Sequence, residues 1–290
     1  MIIVELTGGL GNQLFQYATG LNLSIQKKVP LLLDLSWFNS QNKRKYQLDL
    51  LNISSDIAHI SEVKKLKNRK SNKIIEILNR VSGGKISWLK GYIFIEKNSG
   101  QFDNNLFSCP KNCLIRGYWQ SEKYFLEIKE TIRKEFILKN DFSEKVKTIS
   151  AQMQSDTNSV SVHVRRGDYV KENIGHCVTS LDYYYRAIEF LTNQGIDPKL
   201  YVNSDDIEWA RENLSIFPGI KFIDRHFCKN DAEELLLMSH CHHHINANSS
   251  FSWWGAWLNE QEDSIVTVPN KWFSNRPFPE DRIPNRWYRL

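Results

Sequence analysis

The chain has 290 residues, 41% of them hydrophobic, enough to bury one large core or two ordinary ones. With 38 basic against 33 acidic residues the net charge is only +5, so no bulk electrostatic field calls for a nucleic-acid partner. No apolar run nears the roughly 18 residues of a membrane helix; the opening residues read as a strand rather than a signal peptide, and five scattered cysteines (Cys109, Cys113, Cys177, Cys228, Cys241) suit reduced thiols in a cytosolic protein.

A strand is expected over 2–6, running into Thr7-Gly8-Gly9-Leu10-Gly11-Asn12-Gln13, then a helix near 14–27 and a strand over 29–34. The clustered glycines allow a tight turn and close backbone approach, and the following helix offers amides to an anion. The spacing is neither a dinucleotide fingerprint nor a Walker loop. Residues 61–82 predict a helix with a basic run, Lys64, Lys65, Lys67, Arg69, Lys70 and Lys73 against Glu62. It reads as a solvated face, or as a peripheral attraction through 62–73 for anionic lipid headgroups or a polyanionic acceptor. Segment 35–125 carries no motif that can be decoded. Cys109-x-x-x-Cys113 encloses a proline and has no matching second pair, so zinc is not expected there. Polar stretches at 139–141 and 155–158 bracket a polar helix and set a boundary, giving domains 1–148 and 149–290.

The second half alternates strands and helices: strands at 159–164, 199–203, 220–224, 243–247 and 264–268, helices at about 180–194, 205–214, 231–240 and 251–260. Thr179-x-x-Asp182 and Asp231-x-x-Glu234 supply polar residues for first-turn amides. This pattern predicts a parallel sheet covered on both faces, hence an α/β fold.

The first of these strands ends in His163-Val164-Arg165-Arg166-Gly167-Asp168-Tyr169. Two guanidiniums at the carboxyl end of a strand suit a phosphate-bearing ligand, since their planar forks fit phosphate oxygens in pairs. The alternative is a surface turn with a local ion pair. His240-Cys241-His242-His243-His244 has the composition of a metal cluster, but neighbouring strand residues point to opposite faces, so at most two rings could share an ion. Trp253 and Trp257 share a helix face and are expected in the core.

Three blocks together carry a resemblance: Gly8-Gly9-Leu10-Gly11-Asn12-Gln13-Leu14-Phe15-Gln16-Tyr17-Ala18, the His163–Tyr169 run, and Asn248-Ser249-Ser250-Phe251-Ser252-Trp253-Trp254-Gly255-Ala256. They resemble, in order, bacterial α-1,2-fucosyltransferases of glycosyltransferase family 11. The resemblance implies a GT-B architecture of two facing Rossmann-like domains with an interdomain cleft, the donor on the second. It implies GDP-fucose as donor, a galactose-terminated oligosaccharide or lipid-linked glycan as acceptor, inversion at the anomeric carbon, and no metal or other cofactor. It implies a cytoplasmic place in O-antigen or capsule biosynthesis, on the inner face of the membrane if the basic segment touches lipid.

Carried over by position, Arg165 matches the arginine on the donor's β-phosphate, with Arg166 beside it. His163 matches a position beside the guanine, and Ser250 a serine touching phosphate, within Asn248, Ser249 and Phe251. Glu234 lies where related α-1,6 enzymes place a carboxylate on the guanine ring, but it also suits a first-turn helix acid. Ser204, Asp205 and Asp206 resemble a nucleotide-side segment, and could equally cap the next helix. Asn12 matches an asparagine near the reacting centre of protein O-fucosyltransferases. Asp168 and Glu172 are candidate bases; the glutamate proposed as base in α-1,6 enzymes aligns with Asn173 here, and Asp168 could instead orient an arginine. A non-catalytic nucleotide- or glycan-binding module and a fucosyltransferase of another linkage are the competing readings.

Overall fold

The protein is described by a computed structural model covering residues 1–67, 92–172, 177–224 and 226–290. Arg69, Lys70, Lys73 and Asn173, named above, lie outside the described residues, as does most of the helix expected over 61–82. Two compact units emerge, Met1–Phe136 with Glu280–Arg282, and Ile137–Pro279 with Ile283–Leu290.

In the first unit β1 (Ile2–Glu5), β2 (Leu31–Asp34), β3 (Asp56–Ile57), β4 (Tyr92–Ile95) and β5 (Cys113–Arg116) form a parallel sheet in the order β3-β2-β1-β5-β4. β1 is buried throughout because both faces are covered, and its sequence Ile-Ile-Val-Glu is the continuous apolar run such strands need. Ile3 and Leu114 pack one face against Val63 and Leu66 of helix Ile60–Lys67. Helix Leu10–Lys27 begins four residues before the expected start, since Gly9 at φ −80°, ψ 176° is its N-cap and the chain winds at once. Lys67 does not join a solvated basic face: its ammonium pairs with Glu5 (3.0 Å) and Asp34 (2.8 Å) at the sheet's carboxyl edge.

In the second unit β6 (Ser159–Val164), β7 (Lys199–Ser204), β8 (Lys221–Ile223), β9 (His243–Ile245), β10 (Val266–Val268) and β11 (Tyr288–Arg289) form a parallel sheet in the order β11-β10-β9-β6-β7-β8. The five expected strands are β6 to β10, and their helices are Leu181–Asn193, Ile207–Leu214, Asp231–Met238 and Ser250–Leu258. Helix Glu144–Ser155 belongs wholly here, because Val146 and Met153 pack with Tyr201, Ile223, Leu237 and Cys241. The division thus falls at 136/137 rather than at 148/149. Both first-turn caps sit one residue from the expected position, later in helix Leu181–Asn193 and earlier in helix Asp231–Met238. Ser180 and Asn230 accept from the amides of Tyr183 and Glu233, while Thr179 is buried and gives its hydroxyl to Asn248.

The two faces of this sheet differ. Val160, Val162, Val164, Leu200, Val202 and Ile245 form an apolar core with helices Leu181–Asn193 and Ile207–Leu214. The alternate residues Ser159, Ser161 and His163 face the other way, where Asn203 and His244 join them. Along each sheet the chain runs outward from a central strand, then crosses back: between β9 and β6 in the second unit, between β1 and β5 in the first. Such switch points open a crevice beyond the strands' carboxyl ends, where parallel α/β sheets take ligands. Among the described residues no helix is long and apolar enough to cross a membrane.

Candidate functional site

β6 is the central strand at the second switch point, and it delivers Arg165 and Arg166 to the carboxyl edge. The two arginines diverge. Arg165 sets Nη1 3.2 Å from Asp205 Oδ2 and lies 5.5 Å from the Tyr169 ring. Arg166 lies 4.1 Å over Trp209 and 3.5 Å from Asp206, while its backbone N–H donates to Asp205 Oδ1 at 2.8 Å. The members of the Asp-Asp pair differ in what they bond. Asp206 caps helix Ile207–Leu214, accepting from the Trp209 amide; Asp205 holds the arginine loop. Ser204 lies beneath them, its hydroxyl accepting from the Asp206 amide at 2.9 Å. Gly167 lets Asp205 approach closely, because a Cβ would stand 2.8 Å from Asp205 Oδ2 and displace that carboxylate. Asp168 and Glu172 lie on helix Gly167–Glu172, and their side chains are outside what the structure describes.

Below the arginines lies a row of buried polar side chains that the motif reading only partly anticipated. His163 pairs in register with Asn203 on β7, and Asn246, one step past β9, stands level with it on the other side. All three are almost fully buried. His163 Nδ1, Asn203 Oδ1 and both polar atoms of the Asn246 amide have no hydrogen-bond partner within the protein. Buried polar atoms are normally paired, so a row of open ones is either water-filled or kept for a ligand. Burial, reinforced by the Arg165 charge, pushes the His163 imidazole down to about 3, so the ring is neutral at physiological pH. Phe251 lies across it, ring centroids 5.8 Å apart. Glu234 reaches into the same row, accepting from Asn203 Nδ2 at 3.3 Å, because Asn230 has taken over the capping of its helix.

The loop leaving β9 completes the edge. Asn248 braces it: its Nδ2 donates to the carbonyls of Cys177 (2.7 Å) and Trp272 (2.8 Å), and its Oδ1 accepts from Thr179 (3.2 Å). Tyr169 donates to its carbonyl, tying this loop to the arginine loop. Ser249 caps helix Ser250–Leu258 through its hydroxyl, which leaves Ser250 as the first helical residue at the switch point. Trp253, Trp254 and Trp257 are buried, with Trp253 and Trp257 stacked at 6.1 Å, as the spacing predicted.

Asn12 lies in the first unit, where its block is mostly architecture. Gly8 adopts φ +78°, and a Cβ there would meet Asn12 Nδ2 at 2.5 Å. Gln13 donates to the carbonyls of Gly8 and Lys45 and accepts from the Gln47 amide. Gln16 binds Thr7 twice and the Gly117 carbonyl once. Asn12 accepts from Gln120 Nε2 at 2.8 Å, which links the exits of β1 and β5 at this unit's switch point. In the β5 exit Trp119 is fully buried at φ +55°, a conformation that costs a non-glycine residue about 1–3 kcal/mol.

The histidine run does not converge. His240 meets Ser150 (2.6 Å), His242 meets Asp263 (2.8 Å), His243 Nδ1 accepts from the Ile265 amide (3.0 Å), and His244 meets Asn259 (2.9 Å). Among the described residues no three histidine, cysteine or carboxylate side chains come together as metal ligands, and the five cysteines are free thiols.

Residues 1–289 match the family profile of Glycosyl transferase family 11. Over 299 aligned residues the chain is 34% identical to an alpha-1,2-colitosyltransferase of Escherichia coli, covering 100% of this chain and 99% of that protein. It is 32% identical to an O-antigen biosynthesis glycosyltransferase of Escherichia coli, covering 93% and 94%. A galactoside 2-alpha-L-fucosyltransferase of Caenorhabditis elegans is 26% identical, with 100% and 79% covered. Among solved structures the chain resembles the NodZ alpha-1,6-fucosyltransferase co-crystallised with GDP, at a TM-score of 0.50 and 14% identity over 88% of this chain and 91% of that one. That likeness is one of fold.

Proposed function

The chain belongs to glycosyltransferase family 11, and from that premise we propose that it transfers L-fucose from GDP-β-L-fucose to the 2-hydroxyl of a galactose-containing acceptor, with inversion and without a metal. One observation carries the donor assignment: at the switch point of the second sheet, paired arginines stand directly above a row of buried polar atoms without partners. A guanine ring has donors and acceptors on its edges, and a diphosphate has charge to be matched. The row supplies acceptors in Asn203 and Glu234, a neutral imidazole in His163, and an uncommitted amide in Asn246.

As the sugar–phosphate bond breaks, negative charge grows on the diphosphate while the sugar becomes cation-like. Arg165 is the residue assigned to that charge, already oriented by Asp205 and Tyr169. A preorganised guanidinium needs no rearrangement when the charge appears, and this makes it effective. Arg166 is committed to Trp209 and Asp206, so its part is secondary. Ser250, opening helix Ser250–Leu258, adds a hydroxyl and helix-terminus amides for a phosphate oxygen. The acceptor hydroxyl must lose its proton during attack, and Asp168 is the base assigned, with Glu172 as its competitor. The O-antigen relative supports an oligosaccharide or lipid-linked glycan as acceptor, and Lys64 and Lys65, exposed on helix Ile60–Lys67, are the described part of a peripheral cytoplasmic membrane contact.

The colitosyltransferase relative favours a second reading, with a GDP-activated colitose as donor. Colitose lacks the 3-hydroxyl of fucose. A site built to bond that hydroxyl discriminates strongly against its absence, whereas an apolar pocket discriminates weakly. The test is release of GDP from GDP-fucose and from GDP-colitose, each with a β-galactoside present and after exhaustive EDTA treatment. Fucose-dependent, chelator-resistant release with an α-1,2-linked product is the expected result. A preference for GDP-colitose moves the donor, a rate that collapses in EDTA and returns with Mn²⁺ removes metal independence, and no release from either donor leaves the non-catalytic module.

A further inference from the structure

We propose that Tyr118 is the stacking platform for the acceptor sugar, an assignment that rests on the galactoside acceptor argued above. The observations come from one short loop in the first unit. β5 ends at Arg116, and residues 117–121 leave the carboxyl edge beside β1, at that unit's switch point. Nearly every step of the loop is tied down. The Gly117 carbonyl accepts from Gln16 Nε2 at 3.0 Å. The amides of Tyr118 and Trp119 donate to the two oxygens of Glu96, at 2.7 and 3.2 Å. Gln120 donates to Asn12, and the Ser121 hydroxyl donates to the Asp281 carbonyl at 2.5 Å.

These bonds hold Trp119 at φ +55° with its indole wholly buried against Tyr124 and Phe94. The indole N–H finds no acceptor there. The carboxylate that clamps the loop is itself uncomfortable, since burial pushes Glu96 above the usual carboxylate range despite its two amide bonds. A loop kept in this state against its own stability is a mark of function. What it presents outward is Tyr118, with 42% of its surface exposed between two clamped neighbours. A pyranose such as galactose has one face lined by C–H bonds, and an aromatic ring offers the flat, electron-rich surface that packs on it. Because the backbone on both sides is fixed, the ring loses little freedom when a sugar settles on it. Asn12, bonded to the next residue but one, puts a polar group of the family block on the same scaffold.

The experiment compares Tyr118→Ala and Tyr118→Phe with the wild-type enzyme in two assays. In steady-state transfer, Tyr118→Ala should raise the acceptor KM by about tenfold, as expected for loss of one aromatic contact, with the GDP-fucose KM within twofold. Tyr118→Phe keeps the ring and should restore the acceptor KM. In saturation-transfer NMR with methyl β-galactoside and no donor, the wild type should show strongest transfer to the protons of one sugar face, and Tyr118→Ala should lose it. An unchanged acceptor KM in Tyr118→Ala, or a loss in Tyr118→Phe as large as in Tyr118→Ala, overturns the platform while leaving the transfer reaction intact. Face-selective galactoside binding by a wild type that does not transfer from GDP-fucose would uphold the platform and fail the donor assignment. Absence of galactoside binding in the wild type overturns the platform itself.

Discussion

Both sheets are parallel and carry a switch point beside their first strand, yet their carboxyl edges have opposite chemistry. In the first unit the polar groups at the edge, the Trp119 indole N–H apart, satisfy one another: Glu5 takes Arg116 in a two-pronged pair at 2.7 and 3.0 Å, Asp34 takes Lys67, Gln13 and Gln16 bond loop backbone, and Asn12 takes Gln120. In the second unit the polar atoms beneath the edge stay open, at His163, Asn203 and Asn246. The first edge is largely finished by its own sequence and can serve as a rigid surface. The second is left incomplete, at the cost of buried polar atoms without partners, and a ligand that supplies donors and acceptors would complete it. A rigid acceptor side and a donor side completed by its nucleotide is the division of labour that this contrast supports.

The sharpest way to break the contrast is at the arginines. Arg165→Ala should lower kcat/KM by about 10³-fold, because the interaction it removes is strongest when the diphosphate carries its full charge. Arg166→Ala should cost about tenfold, since that guanidinium is already stacked on Trp209 and its loss acts through the loop. Steady-state kinetics on both variants decide this. Equal losses would mean that the pair acts as one electrostatic patch and that the divergence of partners has no functional content.

The legibility of the chain follows the same divide. β6 reads Ser-Val-Ser-Val-His-Val, and its alternation already implies one apolar and one polar face, with His163 on the polar one. Asn203 and Asn246 join that face only through strand pairing, which no local pattern reveals, and Asn246 falls outside every motif. In the first unit β3 has two residues and both are exposed, and β4 is an edge strand without buried residues, so neither leaves the apolar run by which strands are found. β5 is buried but only four residues long, and its role emerges from Asn12–Gln120 and Glu96, which join positions far apart in sequence. The caps were missed by one residue because Thr179 and Asp231 are as good candidates locally as Ser180 and Asn230; tertiary demand for the Thr179 hydroxyl decided the first.

The base is the next test. Asp168→Asn should reduce kcat by at least about 10²-fold, and by more than Glu172→Gln, if Asp168 takes the acceptor proton. The acid limb of the kcat–pH profile should disappear in Asp168→Asn, which separates proton transfer from the orientation of an arginine. Orientation alone would weaken the donor KM and leave the limb in place. A near-normal Asp168→Asn enzyme beside an inactive Glu172→Gln enzyme would transfer the role.

The smallest effect bears most directly on the two edges. Asn246, one step beyond β9, and Gln13, in the first turn of helix Leu10–Lys27, are both buried amides, yet the side chain of one has no partners and that of the other has three. Gln13→Ala strips partners from two carbonyls and an amide, and should cost about 3 kcal/mol of unfolding free energy while leaving the GDP Kd of the folded protein within twofold. Asn246→Ala removes polar atoms that bond nothing in the protein, so its unfolding free energy should change by less than about 1 kcal/mol. Its GDP Kd should rise about tenfold, one hydrogen bond's worth, if the row receives the base. Urea unfolding with and without GDP, together with calorimetric titration of GDP, reads both quantities on both variants. Should Asn246→Ala destabilise the fold as much as Gln13→Ala and still bind GDP like the wild type, the row is architecture satisfied by buried water, and the second edge is as self-sufficient as the first.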